Sequence, residues 1–303
     1  MVGNFQARAV SSEELRIPGP RGRQGVGAVN ARVIEPLYVP ELYTRHFDGG
    51  ENTLMVPAGK DGRAEKYEFL RRIDDPKTSF FASVLLNKET GHAIILYKGM
   101  DKPFVNEGGG TMGFATDAKV AFQAALGGMN SQTKDAEKAF VETRNDPRVK
   151  SLELVGYSIG SLHMNYMAAK YGAVGTNIAD MGISTSLLTS VFNRESRVGM
   201  RPGYTLPEIS KAMQERVTTL TMRADFLPRS FAASGPRGRE TVLDKDSLAL
   251  GGALHIPYFY MKEAQEMLKN QPGNAPGSAP ASETPEGPST SPLPPPRPPS
   301  PGS

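Results

Sequence analysis

Gly156-Tyr157-Ser158-Ile159-Gly160 is a G-x-S-x-G run. A serine held on a sharp turn between a strand and a helix can serve as an acyl-accepting nucleophile. The turn lifts its Oγ clear of the backbone, and it demands small residues two before and two after. The flanking periodicities supply that context: Ser151–Tyr157 (SLELVGY) reads as a buried strand, and Ile159–Tyr171 as a small-residue helix stopped at Gly172. A helix beginning there also turns its first N–H groups and its positive dipole end toward the reacting centre.

A serine hydroxyl attacks poorly until an imidazole takes its proton, and the imidazole needs a carboxylate to fix its tautomer and stabilise its charged form. On strand-turn-helix nucleophile folds the chain order is serine, then acid, then histidine. The chain has four histidines, His46, His92, His163 and His255. The first two precede the serine. His163 lies five residues beyond it on the same helix, where its side chain should diverge from the turn, so His255 is the candidate base. The acid should follow a strand, and Asp225 follows Val217–Met222 (VTTLTM). Asp180 is the runner-up, while Asp244 and Asp246 fall in an expected loop.

Acyl transfer also builds an oxyanion, which needs two donors already in place. One should be the backbone N–H of Ile159. The other is expected from the loop after an earlier strand, at Met100 in Lys98-Gly99-Met100-Asp101; the competing reading is that Gly99 only ends that strand.

The elements that must position these groups are legible in outline. Phe80–Leu86 (FFASVLL) and His92–Tyr97 (HAIILY) flank a glycine-containing turn and read as a hairpin. Helices are expected over 66–73 (KYEFLRRI), 117–126, 134–143 and 206–214, and a further strand over 176–183. Alternating strands and helices favour a mainly parallel sheet covered on both faces. Residues 1–52 read as an irregular arm, 53–270 as the catalytic domain, and 271–303 as a disordered tail. That tail is rich in proline, glycine, serine and alanine and cannot bury enough apolar surface to offset its ordering entropy. Ile183 to Phe192 could be a lid, a groove wall or a core helix, and Gly108 to Gly113 could gate the site. No GK[ST] follows those glycines, which argues against a phosphate-cradling loop.

Composition narrows the chemistry further. The absence of cysteine excludes disulfides, thiolate metal sites and a cysteine nucleophile. A formal charge of +3 arises from nearly balanced acids and bases, so no broad basic field points to nucleic acid. The first residues lack the apolar run, about 7 to 15 long, of a secretory signal, and no stretch approaches the roughly 20 apolar residues of a membrane span. The chain is expected to be made soluble in the cytoplasm; if exported, it would leave without that signal.

Several of these pieces together resemble the class three, or fungal-type, lipases of the α/β-hydrolase superfamily. Phe81-Ala82-Ser83-Val84, Asn87 to Gly91 and Ile94 to Gly99 follow that family's hairpin and oxyanion-loop pattern. Thr116-Asp117 resembles its next helix start, Gly156 to Gly160 its nucleophile turn, and Asp225-Phe226-Leu227-Pro228 its acid loop. The likeness spans roughly residues 79–260. It implies an α/β-hydrolase fold and cofactor-free, metal-free hydrolysis of carboxylic esters, with glycerolipid or phospholipid substrates and peripheral membrane contact. There are departures: Lys98-Gly99-Met100 replaces arginine-glycine-threonine, which removes a side-chain hydroxyl from the oxyanion hole. Tyr157 stands where the family usually has histidine, and the chain has no tryptophan. Two rival readings stay open. One is a catalytically silent hydrolase fold used as a binding module, with the PxxPxR pattern at 292–297, in the proline-rich stretch 292–299, as a contact for proline-groove domains. The other is an exported lipase that attacks membranes.

Overall fold

The computed structural model describes residues 8–9, 32–57, 64–99, 131–189, 206–223, 225, 235, 237–243 and 257–270. Two short strands, β1 (Arg8–Ala9) and β2 (Arg32–Val33), pair with each other. The remaining strands build one eight-stranded sheet: β3 (Thr53–Pro57), β4 (Ala64–Asp75), β5 (Phe80–Leu86), β6 (His92–Tyr97), β7 (Ser151–Tyr157), β8 (Val174–Ile178), β9 (Val217–Met222) and β10 (Arg239–Leu243). Their spatial order is β10-β9-β8-β7-β6-β5-β4-β3. Strands β6 to β10 run parallel and β3 to β5 are antiparallel, so the C-terminal ends of the parallel strands form one rim. This is the mainly parallel α/β sheet, with helices on both faces, expected from the alternation of elements.

Both faces are covered because the central strands are apolar on both sides, as parallel strands flanked by helices require. Ala93, Ile95 and Tyr97 of β6 face one layer, made by α2 (Ser131–Arg144), α3 (Ile159–Tyr171) and α4 (Leu206–Arg216). Ile94 and Leu96, alternating with them, face the other layer, made by α1 (Val39–Phe47) and α5 (Pro257–Lys269).

The structure corrects several expectations. Residues 66–73 form not a helix but part of β4. Tyr67, Leu70 and Ile73 are three apart and mimic helical spacing, yet Tyr67 packs into one layer while Leu70 and Ile73 both pack against the other. A bulge between Phe69 and Arg71 resets the alternation, which is how two residues three apart reach one face of a strand. The segment 1–52, expected to be irregular, contributes a 3-10 turn at Pro36–Tyr38 and the helix α1, docked against α5. The strand expected at 176–183 begins earlier and ends at Ile178. In the segment 183–192 the described residues Ile183, Leu187 and Leu188 are core rather than lid. The helix expected at 117–126, the glycine-rich 108–113 and the tail 271–303 lie outside the described residues.

Candidate active site

Ser158 begins where β7 ends and is the residue just before α3. Its backbone sits at φ 52°, ψ −118°, a conformation that L-residues rarely adopt and that persists only when the surroundings hold it. Those surroundings are identifiable. The Ser158 N–H donates to the Ile178 carbonyl on β8 (3.0 Å). The Ser161 Oγ donates to the Ser158 carbonyl (2.5 Å) and accepts from the Met181 N–H (2.8 Å), tying the turn to the loop after β8.

The two glycines are explained by distance. A Cβ on Gly156 would lie 2.6 Å from the Ser161 Cα, and one on Gly160 would lie 2.4 Å from the Tyr97 carbonyl oxygen, both backbone atoms that cannot swing aside. Strand and helix therefore approach closely only with glycine at both positions. Gly160→Ala should push α3 off the end of β6 and misplace Ser158. We expect about a 100-fold loss of kcat/KM on any ester that the wild type cleaves, with a stability loss of roughly 1–3 kcal/mol seen by thermal melting.

Asp225 follows β9, two strands from Ser158 along the same rim, and is 1% exposed. Its N–H donates to the Met222 carbonyl (3.1 Å), and its Oδ2 accepts a 2.7 Å hydrogen bond from the Tyr260 hydroxyl on α5. Burial, reinforced by the Asp225 charge, pushes the Tyr260 phenol well above its ordinary range, so it stays a donor. Asp180, on the intervening strand end, is engaged differently. Its Oδ1 accepts from Asn165 Nδ2 and the Gly182 N–H, both at 2.8 Å, and its Oδ2 from Thr219 Oγ1 at 3.4 Å. It is a framework carboxylate that joins α3, β9 and the loop after β8. Asp244 and Asp246 are outside the described residues.

The three described histidines all lie in other settings. His46 packs against Phe47 and Phe69, with Nδ1 3.0 Å from the Glu51 carbonyl, and burial lowers its pKa. His92 pairs in register with Ser151, roughly 23 Å down the strand from Ser158 at about 3.3 Å per residue. There it meets the Tyr67 hydroxyl at 2.7 Å and, with Nε2 at 3.8 Å, the Glu153 carboxylate. His163 diverges from the turn as expected: it lies in the α2–α3 layer, edge-on to Phe80 and Tyr97, and burial drops its imidazole to about 3. His255 lies outside the described residues, two positions ahead of Pro257, the first residue of α5.

Of the expected oxyanion donors, Ile159 opens α3, and the first N–H groups of a helix have no partner within it. Met100 lies outside the described residues. Continuing the β6–β7 register of Tyr97 with Gly156 sets Gly99 level with Ser158. The Gly99 N–H donates to the Tyr43 hydroxyl (3.1 Å), and the Tyr43 ring lies 5.2 Å from that of Tyr157. A Cβ on Gly99 would lie 2.5 Å from the Tyr157 ring, so this glycine also brings two segments together, besides ending its strand. Tyr43, Ser161 and Tyr260 were not singled out from the sequence, since each acts through a contact 20 to 56 residues away.

No protein-family model matches the chain, and no curated protein sequence matches it. Among solved structures it is similar to the Lip2 lipase from Yarrowia lipolytica (TM-score 0.35, 13% identity, covering 59% of this chain and 66% of that one). It is also similar to a triacylglycerol lipase from Penicillium expansum (TM-score 0.34, 12% identity, 68% and 77% covered) and to the Rhizomucor miehei lipase in its propeptide complex (TM-score 0.34, 12% identity, 82% and 87% covered). Among the described residues, no helix is long and apolar enough to cross a membrane.

Proposed function

We propose that the chain is a serine hydrolase that cleaves carboxylic esters of lipid-like acyl groups. The Ser158 Oγ attacks the ester carbonyl while His255 takes its proton, and Asp225 orients the imidazole and stabilises its charged form. The N–H groups of Ile159 and Met100 hold the tetrahedral oxyanion. Collapse breaks the bond to the alcohol, which leaves with the proton from His255. Water, deprotonated by the same imidazole, then releases the acid from the acyl-enzyme and restores the Ser158 hydroxyl.

One observation carries this reading: a serine in a strained strand-to-helix turn shares its rim with a buried aspartate that is bonded to the helix following His255. Tyr260 is three residues into α5, about 4.5 Å of rise from Pro257. The bond from Tyr260 to Asp225 thus ties the first turn of α5, which Pro257 opens, to the candidate acid. Support for a lipid-like acyl chain is the sequence resemblance.

A fluorophosphonate probe tests the chemistry directly, since it phosphonylates a serine only when a neighbouring base activates it. Labelling that maps to Ser158 is expected, and a screen of p-nitrophenyl esters of rising chain length alongside phospholipids should show turnover rising beyond short chains. A folded chain that takes no label and cleaves no ester would instead be a hydrolase fold without hydrolase chemistry.

A further inference from the structure

We propose that Tyr43 and Tyr260 are positioning residues for the reaction at Ser158, two phenols from neighbouring helices that fix the oxyanion side and the acid side of the site. The proposal rests on the hydrolase reading above. Tyr43 comes from α1 and Tyr260 from α5, and these helices pack on the same face of the sheet, with Gln265 Nε2 of α5 donating to Glu41 Oε2 of α1 (3.4 Å). Both phenols are buried, at 2% and 0% exposure. A buried ring needs no hydroxyl to pack, and a hydroxyl taken out of water is costly unless bonded. Here one hydroxyl bonds to the segment level with Ser158 and the other to the candidate acid on the same rim. Tyr43 accepts from the Gly99 N–H, at the peptide level with Ser158 from which the expected donor segment continues. Tyr260 donates to Asp225 Oδ2 while also lying 3.4 Å from the Met222 N–H, so it grips both the carboxylate and the strand that delivers it.

Between the two stands Tyr157, its ring against Tyr43 and its phenol within the influence of the Asp225 charge. The residue beside the nucleophile is thus part of the same cluster. Among the described residues the titratable groups facing Asp225 include Tyr157 and Tyr260. The helix from the N-terminal segment thereby belongs to the reaction centre as much as the strands do.

Each variant has its own signature. Tyr43→Phe leaves the Gly99 N–H without its acceptor. It should lower kcat roughly tenfold with KM unchanged and weaken inhibition by an alkyl boronic acid, an oxyanion mimic, by a similar factor. Tyr260→Phe removes the hydrogen bond that spreads the Asp225 charge. The imidazolium is then better stabilised, so the acid limb of kcat/KM should move up by about half a unit while kcat falls roughly tenfold. Phe47→Leu, on the same helix as Tyr43, is the control for simple loosening of α1. Should Tyr43→Phe not fold, 3-fluorotyrosine at position 43 keeps the ring and weakens the acceptor, and kcat should fall in the same direction. Wild-type kcat in either Tyr→Phe variant, or a loss that Phe47→Leu reproduces at equal melting temperature, overturns the proposal. Absence of fluorophosphonate labelling in the wild type would instead overturn the hydrolase reading itself.

Discussion

Ser158→Ala is expected to lower kcat/KM for ester hydrolysis by about 10⁴- to 10⁶-fold while the melting temperature stays within a few degrees of wild type. The size follows from the reaction: without the Oγ no acyl-enzyme forms, and only the oxyanion donors and substrate binding remain to favour direct attack by water. The small effect on stability follows from the local structure. Two framework bonds at this residue are made by its backbone, through the Ser158 N–H to Ile178 and the Ser158 carbonyl from Ser161, and alanine keeps both. Alanine also tolerates φ 52° no better and no worse than serine, so the strain of the turn is unchanged. Kinetics on the best ester from the chain-length screen, with melting curves beside them, check both halves. A folded variant retaining a tenth of the activity would remove Ser158 from the mechanism.

The second large effect is Asp225→Asn, for which we expect kcat to fall by about 10³- to 10⁴-fold with KM little changed. The Tyr260 hydroxyl donates to Asp225 Oδ2 in the wild type and would donate to the side-chain amide oxygen in the variant. That leaves the amide NH₂ toward the imidazole, where it selects the tautomer that cannot accept the serine proton and gives the imidazolium no countercharge. Asp225→Ala should be worse for the fold than Asp225→Asn, because it strands the buried Tyr260 hydroxyl at a cost of roughly 1–3 kcal/mol. The two variants therefore separate catalysis from stability when turnover and melting are measured together. If Asp225→Asn kept more than a tenth of wild-type kcat, the acid would lie elsewhere, and Asp180, the other buried carboxylate at this rim among the described residues, would come next.

Much of this centre was legible in local sequence because local forces dictate it. Ser151–Tyr157, Ile159–Tyr171, Phe80–Leu86, His92–Tyr97 and Val217–Met222 have the bounds that their apolar runs and glycine stops imply. The G-x-S-x-G spacing follows from a steric fact within five residues. Asp225 was identified because it follows a strand that a β-branched run announces. Other elements were misread for equally physical reasons. A single bulge gave β4 the three-residue rhythm of a helix. The helix α1 lay hidden in a segment whose glycines, prolines and arginines suggested no order, since its stability comes from docking on α5 and the sheet rather than from propensity.

By itself, the order of residues determined the Ser158 turn, the strand before it, the helix after it and the candidate acid, because each depends on neighbours a few positions away. Only the tertiary structure decided that a phenol 56 residues from Gly99 would bond to its N–H, and that one on the last helix would hold Asp225. Such pairings leave no periodicity in the chain, since any buried tyrosine satisfies the same hydrophobic pattern. Which partner its hydroxyl meets is set by how two helices and a sheet rim pack together.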